Sequence, residues 1–446
     1  MGVWRICCKI KKDGMVRTVI KYCTAFGFAI LILTALLIGA AKIPNSAIQQ
    51  NMLESGEYFN SKEQAEYLTE GVLASQLHYS ADATWCSIAY NLDPDHPLES
   101  AMWANFSLWE GENYNGGFYQ SVLNKAPGKL VQYLRYWHGP AAILRFLHLF
   151  LNIEQIYILL SGLLSLLIVV LLITLFRNHL LPEAVTFLLS MLMVSIWIVP
   201  LCLEYVWMFL VMVVAAIVGV KMSLIGNYRN CGVLFFLTGI IAAYLDFLTT
   251  ETVTLLIPLL LILRIREMQN TKAKSDWMLA FKSCLAWLVG YIGMWAMKWA
   301  IASIVLKQNV MPYVTQHIEE RIGGNVGLTL PKFLLQAISR NVGRLFVFDY
   351  GLVGAMTLVS LIIIFVFIPV WKNWVSIKTQ INKSRVLLFV SLGVIPFIRY
   401  LVLHNHSYGH YCFTYRAQAA SIMALCFVIL ELVDIHAKRE AVLEGV

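Results

Sequence analysis

Long apolar runs punctuated by short clusters of lysine and arginine dominate this chain of 446 residues. Runs at about 22–42, 155–176, 183–200, 205–220, 231–246, 252–264, 279–300, 351–371, 386–402 and 417–434 stand out. Crossing a bilayer's hydrocarbon core takes roughly 18 apolar residues, so the pattern predicts an all-α fold with about ten transmembrane helices. The runs 231–246 and 252–264 are short and predict a helical hairpin whose tip stays near the outer surface. The first run follows basic residues, as a signal peptide does. Its length and the lack of a convincing cleavage site predict an uncleaved anchor.

Composition agrees with the pattern: 59% of residues are hydrophobic, 13% are charged, and the mean hydropathy is +0.69. These values lie outside the range of soluble domains. Arg5, Lys9, Lys11, Lys12, Arg17 and Lys21 precede the first run. Further cations recur on alternate loops at Arg177, at Lys221 and Arg229, and at Arg264, Arg266, Lys272 and Lys274. Lys372, Lys378, Lys383 and Arg385 follow, then Lys438 and Arg439. By the positive-inside rule both termini are cytoplasmic, so the formal net charge of +8 reflects topology and does not imply nucleic-acid binding. Ile6 occupies the position where a myristoylation signal needs Ser or Thr, so Gly2 is not read as an acylation site.

The chain then divides into a basic cytoplasmic tail (1–21), a first helix (22–42), a large external loop with interfacial helices (43–153), helices two to seven (154–300), a second external loop (301–350), helices eight to ten (351–434) and a cytoplasmic tail (435–446). No charged residue falls mid-span. Glu154, Glu204, Asp246, Glu251, Lys298 and Arg399 sit at span ends, all on the external side. Ion-coupled transport needs an ionisable group near the midplane and commonly shows repeated halves, neither of which is visible. Chemistry is therefore expected at the outer boundary.

There, "IPNSAIQQNMLESGEYF" predicts a helix leaving the membrane with Asn45 or Ser46 as its cap. Asp82, within "LHYSADATWCSIAY", has apolar and aromatic neighbours, unlike Asp93 and Asp95 in the turn-like "NLDPDHP". Such surroundings raise a carboxyl pKa and suit a general base; capping the helix that follows is the competing reading, and Glu54 is the alternative base. Arg135, His138, Arg145 and His148 project from an interfacial segment, and Lys332, Gln336, Arg340 and Arg344 form a polar stripe at helical spacing. Both segments suit lipid headgroups or an anionic lipid phosphate.

"HNHSYGHYCFTYR", residues 404–416, gathers three histidines, three tyrosines and an arginine. A metal site on His404, His406 and His410, an interfacial aromatic belt, and a phosphate site on Arg416 with His406 and His410 are the readings; Arg416 favours phosphate. Cys86 and Cys412 are the external cysteines, and their pairing stays open.

The large loop after the first span, its interfacial helices, the acidic residues at outer helix ends and the late basic aromatic loop together resemble the GT-C superfamily. These are multispan glycosyltransferases that use polyprenyl-phosphate sugars, among them protein O-mannosyltransferases and bacterial aminoarabinose transferases. "YLDFLTTETVTLLIPLLL" and "NHSYGHYCFTYR" are similar to strings in bacterial membrane proteins of this kind. The resemblance implies a bacterial cell-membrane transferase with an external active site. Asp82 would be its base, Arg135, His138 and Arg416 would hold the donor phosphate, and Asp246 and Glu251 would orient the acceptor or a divalent cation. It implies as partners a polyprenyl-phosphate-linked sugar, membrane lipids and an external glycan, lipid or protein acceptor. A polysaccharide polymerase or ligase, and a lipid-linked sugar flippase, are the competing functions.

Overall fold

The computed structural model describes residues 2–269, 272–323, 327–345 and 382–443. Seven helices of those residues are long and apolar enough to cross a membrane. They are the second half of α1 (Gly2–Ala41), α7 (Ile153–Arg177), α9 (Leu203–Leu224), α10 (Cys231–Leu245) with the turn before it, α12 (Ala273–Val305), α15 (Lys383–Val402) and the first part of α18 (Ala419–Leu443) with the turns before it. The expected span 351–371 lies outside the described residues.

Two expected spans take a different form. The run 183–200 is α8 (Leu181–Met193), 13 residues that rise only about 20 Å. The chain then turns at Ser195, with φ 55°, and passes through a short 3-10 turn at Val199–Leu201 that contains Pro200. The run 252–264 is α11 (Val253–Met268), whose residues from Val253 to Ile265 are all buried. α11 therefore packs inside the bundle, which explains why it is apolar all round. As expected, α10 and α11 form a hairpin. Where α10 crosses α12, a Cβ on Gly239 would meet the Trp287 carbonyl oxygen at 2.2 Å, and one on Gly290 would meet that of Phe236 at 2.3 Å. Two glycines thus let the backbones touch, as small residues do between membrane helices.

Residues 43–152 fold as a cap over one end of the bundle. α2 (Asn45–Asn60), α3 (Tyr79–Tyr90), α5 (Tyr114–Leu123) and α6 (Gly139–Leu147) share its core with two small antiparallel ladders, β1 (Glu66–Tyr67) with β2 (Gln76–Leu77) and β3 (Phe106–Leu108) with β4 (Lys129–Val131), while α4 (Pro97–Trp103) packs with α1, α10 and α12 in a second core. Trp85 of α3 stacks on Phe247 of the hairpin tip at 3.6 Å between ring centroids. Trp137 donates to the Met294 carbonyl, and Lys298 of α12 donates to those of Ala101 and Met102 at the end of α4. Neither Asn45 nor Ser46 caps α2: Pro44 holds the N-cap position, and no side chain bonds there.

Arg145 and His148 do not face headgroups. Arg145 is fully buried and donates to the carbonyls of Ile43, Ala89 and Tyr90, tying the end of α1 to the end of α3. Its five donors suit carbonyls that helix ends leave unsatisfied. His148 is buried between Ser55 Oγ, at 3.1 Å, and the Leu144 carbonyl.

The rest of the cap-end wall comes from α13 (Met311–Ile322) and α14 (Leu330–Gly343), with two short turns, α16 (His404–Gly409) and α17 (Tyr411–Thr414). The stripe on α14 divides. Lys332 is exposed, Arg340 stacks on Tyr408 at 3.8 Å, and Arg344 is buried, donating to the Leu73 carbonyl and to Gln76. α14 therefore locks the late loop to the cap, which spacing alone cannot distinguish from lying on lipid.

Candidate functional site

A polar cavity of about 640 Å³ opens between the cap and the bundle. His78, Tyr133, Arg135, Glu204, His317 and His410 give it its polar lining, with Phe106, Phe247 and Tyr313 between them. Beside it runs an apolar groove of about 250 Å³ walled by Tyr291, Ile292, Trp295 and Trp299 of α12, Ile318 of α13 and Leu403. Arg135 and His317 line both spaces.

The cations at this junction are held by aromatic and imidazole neighbours. Arg135 lies over Tyr133 at 4.6 Å and Tyr136 at 5.7 Å, and its Nη1 is 3.3 Å from His317 Nδ1. Arg321 Nη1 is 3.3 Å from His410 Nε2. Among the described residues neither arginine has an ion-pair partner, and the buried Nε of each has no hydrogen bond. His317 and Arg321 are four apart on α13, so they share a face. His317 also meets Glu320 at 2.5 Å.

On the opposite wall, His78 Nδ1 lies 3.3 Å from Glu204 Oε2. Burial opposes the imidazolium, but hydrogen bonds to Cys412 and Glu204 outweigh it and raise His78 to about 10. His410 goes the other way. Burial lowers it to about 4, with Arg321 adding repulsion, so it is neutral and available as an acceptor beside that arginine.

Asp82 sits directly behind Glu204. Fully buried, it accepts from Tyr157 Oη at 2.6 Å and Leu203 N at 2.8 Å on one oxygen, and from Glu204 N at 3.2 Å and Cys202 Sγ at 3.4 Å on the other. Burial raises it to about 7 against the pull of those donors. Asp82 does not cap the helix that follows it, for it lies inside α3, whose N-cap is His78; its carboxylate instead accepts the first N–H groups of α9, a helix distant in sequence, and so positions Glu204. Glu54 lies away from the cavity, accepting from Asn152 and Gln50, bonds that hold it below its ordinary carboxyl range.

Of the expected phosphate ligands, Arg135 and His410 line the cavity. His138 is buried beneath it, bonded to the Tyr133 carbonyl at 2.7 Å and packed on Trp85 and Phe247. His406 is buried behind His410, with ring centroids 4.7 Å apart. Arg416 is fully buried over Tyr205 at 4.2 Å and donates to the Cys412 and Ala74 carbonyls. That environment braces the cap against α18, and Arg416 borders neither space. Asp246 binds the N–H and hydroxyl of Thr249, while both oxygens of Glu251 engage Arg399 at 2.5 and 3.1 Å. Both carboxylates of the hairpin tip are therefore engaged, while Thr250 Oγ1, Thr252 Oγ1 and Arg399 Nη1 are buried without a hydrogen-bond partner among the described residues.

Among the described residues no group of three histidine, cysteine or acidic side chains is placed to hold a metal ion, and Cys86 and Cys412 are free thiols. Sequence reading assigned no role to His78, Glu204, His317 or Arg321. Glu204 stood out only as a span-end charge, and the four-residue spacing of His317 and Arg321 was the available signal for the other wall.

Searches for related proteins found no matching family model, no matching curated protein and no matching solved structure. What the fold defines is a multispan, all-α protein with seven helices suited to a membrane among the described residues and a folded cap at one end of the bundle.

Proposed function

We propose that the chain is a bacterial cell-membrane transferase that moves a sugar from a polyprenyl-phosphate donor to an external acceptor. The observation that carries this reading is the sharing of Arg135 and His317 between an apolar groove and a polar cavity. An amphipathic donor needs that arrangement: a dry channel for its tail, cations at its phosphate and a wet chamber for the second reactant.

On this reading the isoprenoid lies along Trp295, Trp299 and Ile292, and the phosphate meets Arg135, His317 and Arg321. Glu204 faces the acceptor and takes the proton from its hydroxyl, while the His78 imidazolium orients the carboxylate. The acceptor oxygen bonds to the anomeric carbon as the bond from that carbon to the phosphate oxygen breaks. The bonding electrons leave with the lipid phosphate, whose added charge the two arginines balance. Asp82 then acts at one remove, by fixing the start of α9. Arg416, His138, His406, Asp246 and Glu251 support the walls. A polymerase or ligase with a lipid-pyrophosphate donor would use the same cations.

The test compares lipid-linked sugars in cells that lack the protein, carry it, or carry Glu204→Gln. One lipid-phosphate-linked sugar should accumulate in both deficient strains, on the external face, with loss of a surface modification. Accumulation on the cytoplasmic face would replace the transferase with a flippase. An unchanged lipid profile would discard both, and a shortened surface polysaccharide would make it a polymerase.

A further inference from the structure

At the end of the bundle away from the cap, a second groove of about 680 Å³ opens between the start of α1's spanning segment, the start of α10 and the first turns of α12. Its mouth carries Arg229, Lys282 and Arg266. Arg266 is anchored to Asp276 at 2.6 Å and to Ser275, and it lies over Tyr228 at 4.5 Å. Arg229 and Lys282 are exposed and make no hydrogen bond or ion pair among the described residues. Further in, Ser283 is fully buried and lines the groove, and its hydroxyl finds no partner there. Beyond Ser283 the lining turns apolar through Phe236, Ala286 and Val289, and Val289 is 53% exposed on the outer surface of a spanning helix.

The order is cation, hydroxyl, then hydrocarbon, running from the membrane boundary toward its interior. We propose that this groove is a binding site for one anionic glycerophospholipid of the leaflet facing this end. The phosphate would sit between Arg229 and Lys282, the glycerol region at Ser283 Oγ, and one acyl chain along Ala286 and Val289. Charge complementarity selects the anionic headgroup, and continuity with the lipid-facing side of α12 selects a lipid over a soluble anion. The site lies at the far end from the Arg135 junction and does not depend on the transferase reading.

Native mass spectrometry of the purified full chain, delipidated and then titrated with phosphatidylglycerol or phosphatidylcholine, tests the site. Wild type should retain one phosphatidylglycerol in preference to phosphatidylcholine. Arg229→Gln with Lys282→Gln should weaken that retention roughly thirtyfold, since each of the two cations near a lipid phosphate contributes about 1 kcal/mol. Ala286→Phe, which fills the acyl path and leaves the cations alone, should also weaken it. Lys129→Gln, an exposed cation of the cap, should leave it unchanged, and an unaltered elution profile in size-exclusion chromatography shows that each variant is folded. Equal retention of both lipids, undiminished retention by the double variant or by Ala286→Phe, or displacement by millimolar inorganic phosphate would each overturn the proposal.

Discussion

The arginines that line the cap-end junction and those at the far end of the bundle are held in opposite ways, although Arg399, also toward the cap, is paired with Glu251. Away from the cap, Arg264 meets Glu183 at 3.1 Å, Glu267 at 2.9 Å and Glu431 at 2.5 Å, while Arg385 bridges Glu267 and Asp276, and Arg266 joins Asp276. The acids come from α8, α11, α12 and α18 and Arg385 comes from α15, so the network clamps five helices together. At the cap end, Arg135 and Arg321 border open space with only rings and imidazoles beside them. A carboxylate neutralises its arginine and leaves nothing for a ligand. A ring face steadies the guanidinium while leaving its charge uncompensated. The carboxylate-paired arginines, Arg399 among them, read as scaffold, and the two at the junction read as site.

Breaking the scaffold should have the largest effect. Arg264→Met strands Glu183 and Glu431 in a nearly dry environment, and losing one partner of a buried pair costs about 3–5 kcal/mol. We expect little folded protein by size-exclusion chromatography, with partial recovery when Glu431→Gln is added. A well-folded Arg264→Met protein would remove the contrast.

Arg135→Gln should do the reverse, keeping the thermal unfolding transition while lowering transfer about 10²–10³-fold, the range for removing a charge-stabilising donor. Arg135→Lys should recover only part, because an ammonium lacks the planar fork. Unfolding of Arg135→Gln at a much lower temperature would class Arg135 with the scaffold.

Stability should also depend on pH through the cap. Burial lowers His148 to about 4 in the folded state, against an unfolded value near 6.5. Between those values the unfolded chain binds the extra proton. The stabilisation is therefore complete above about pH 6.5 and is lost as pH falls toward 4, by at most about 3 kcal/mol. His148→Gln should flatten this slope in denaturant titrations between pH 4 and 7; an unchanged slope would place its origin elsewhere, with His410 the next candidate.

Asp82→Asn should cost less stability than Arg264→Met. The amide nitrogen replaces one of the two carboxylate oxygens, so either Leu203 N or Glu204 N loses its acceptor, at a cost of about 1–3 kcal/mol. Transfer per folded molecule should fall with the displacement of Glu204. A variant of full stability and no activity would return Asp82 to the role of base.

Hydropathy by itself determined the class. Seven expected spans coincide with helices long enough to cross, because spanning a membrane imposes a length and an internally bonded backbone that local sequence records directly. The α10–α11 hairpin was legible for the same reason. The pattern could not show that α11 is interior, since a helix surrounded by protein and one surrounded by lipid are both apolar all round. Nor did it find the second acidic cluster: Glu183 and Glu431 fall at run edges, and their arginine is 81 and 167 residues away. The candidate site divided along the same line. Residue type marked Arg135 and His410 as suited to an anion, and they do line the cavity; it marked Arg416 for the same anion and Asp82 as the base, and both are buried. Only the packing of α3 on α9, and of α13 across the late loop, decided which groups face open space, because exposure depends on neighbours that the local sequence does not contain.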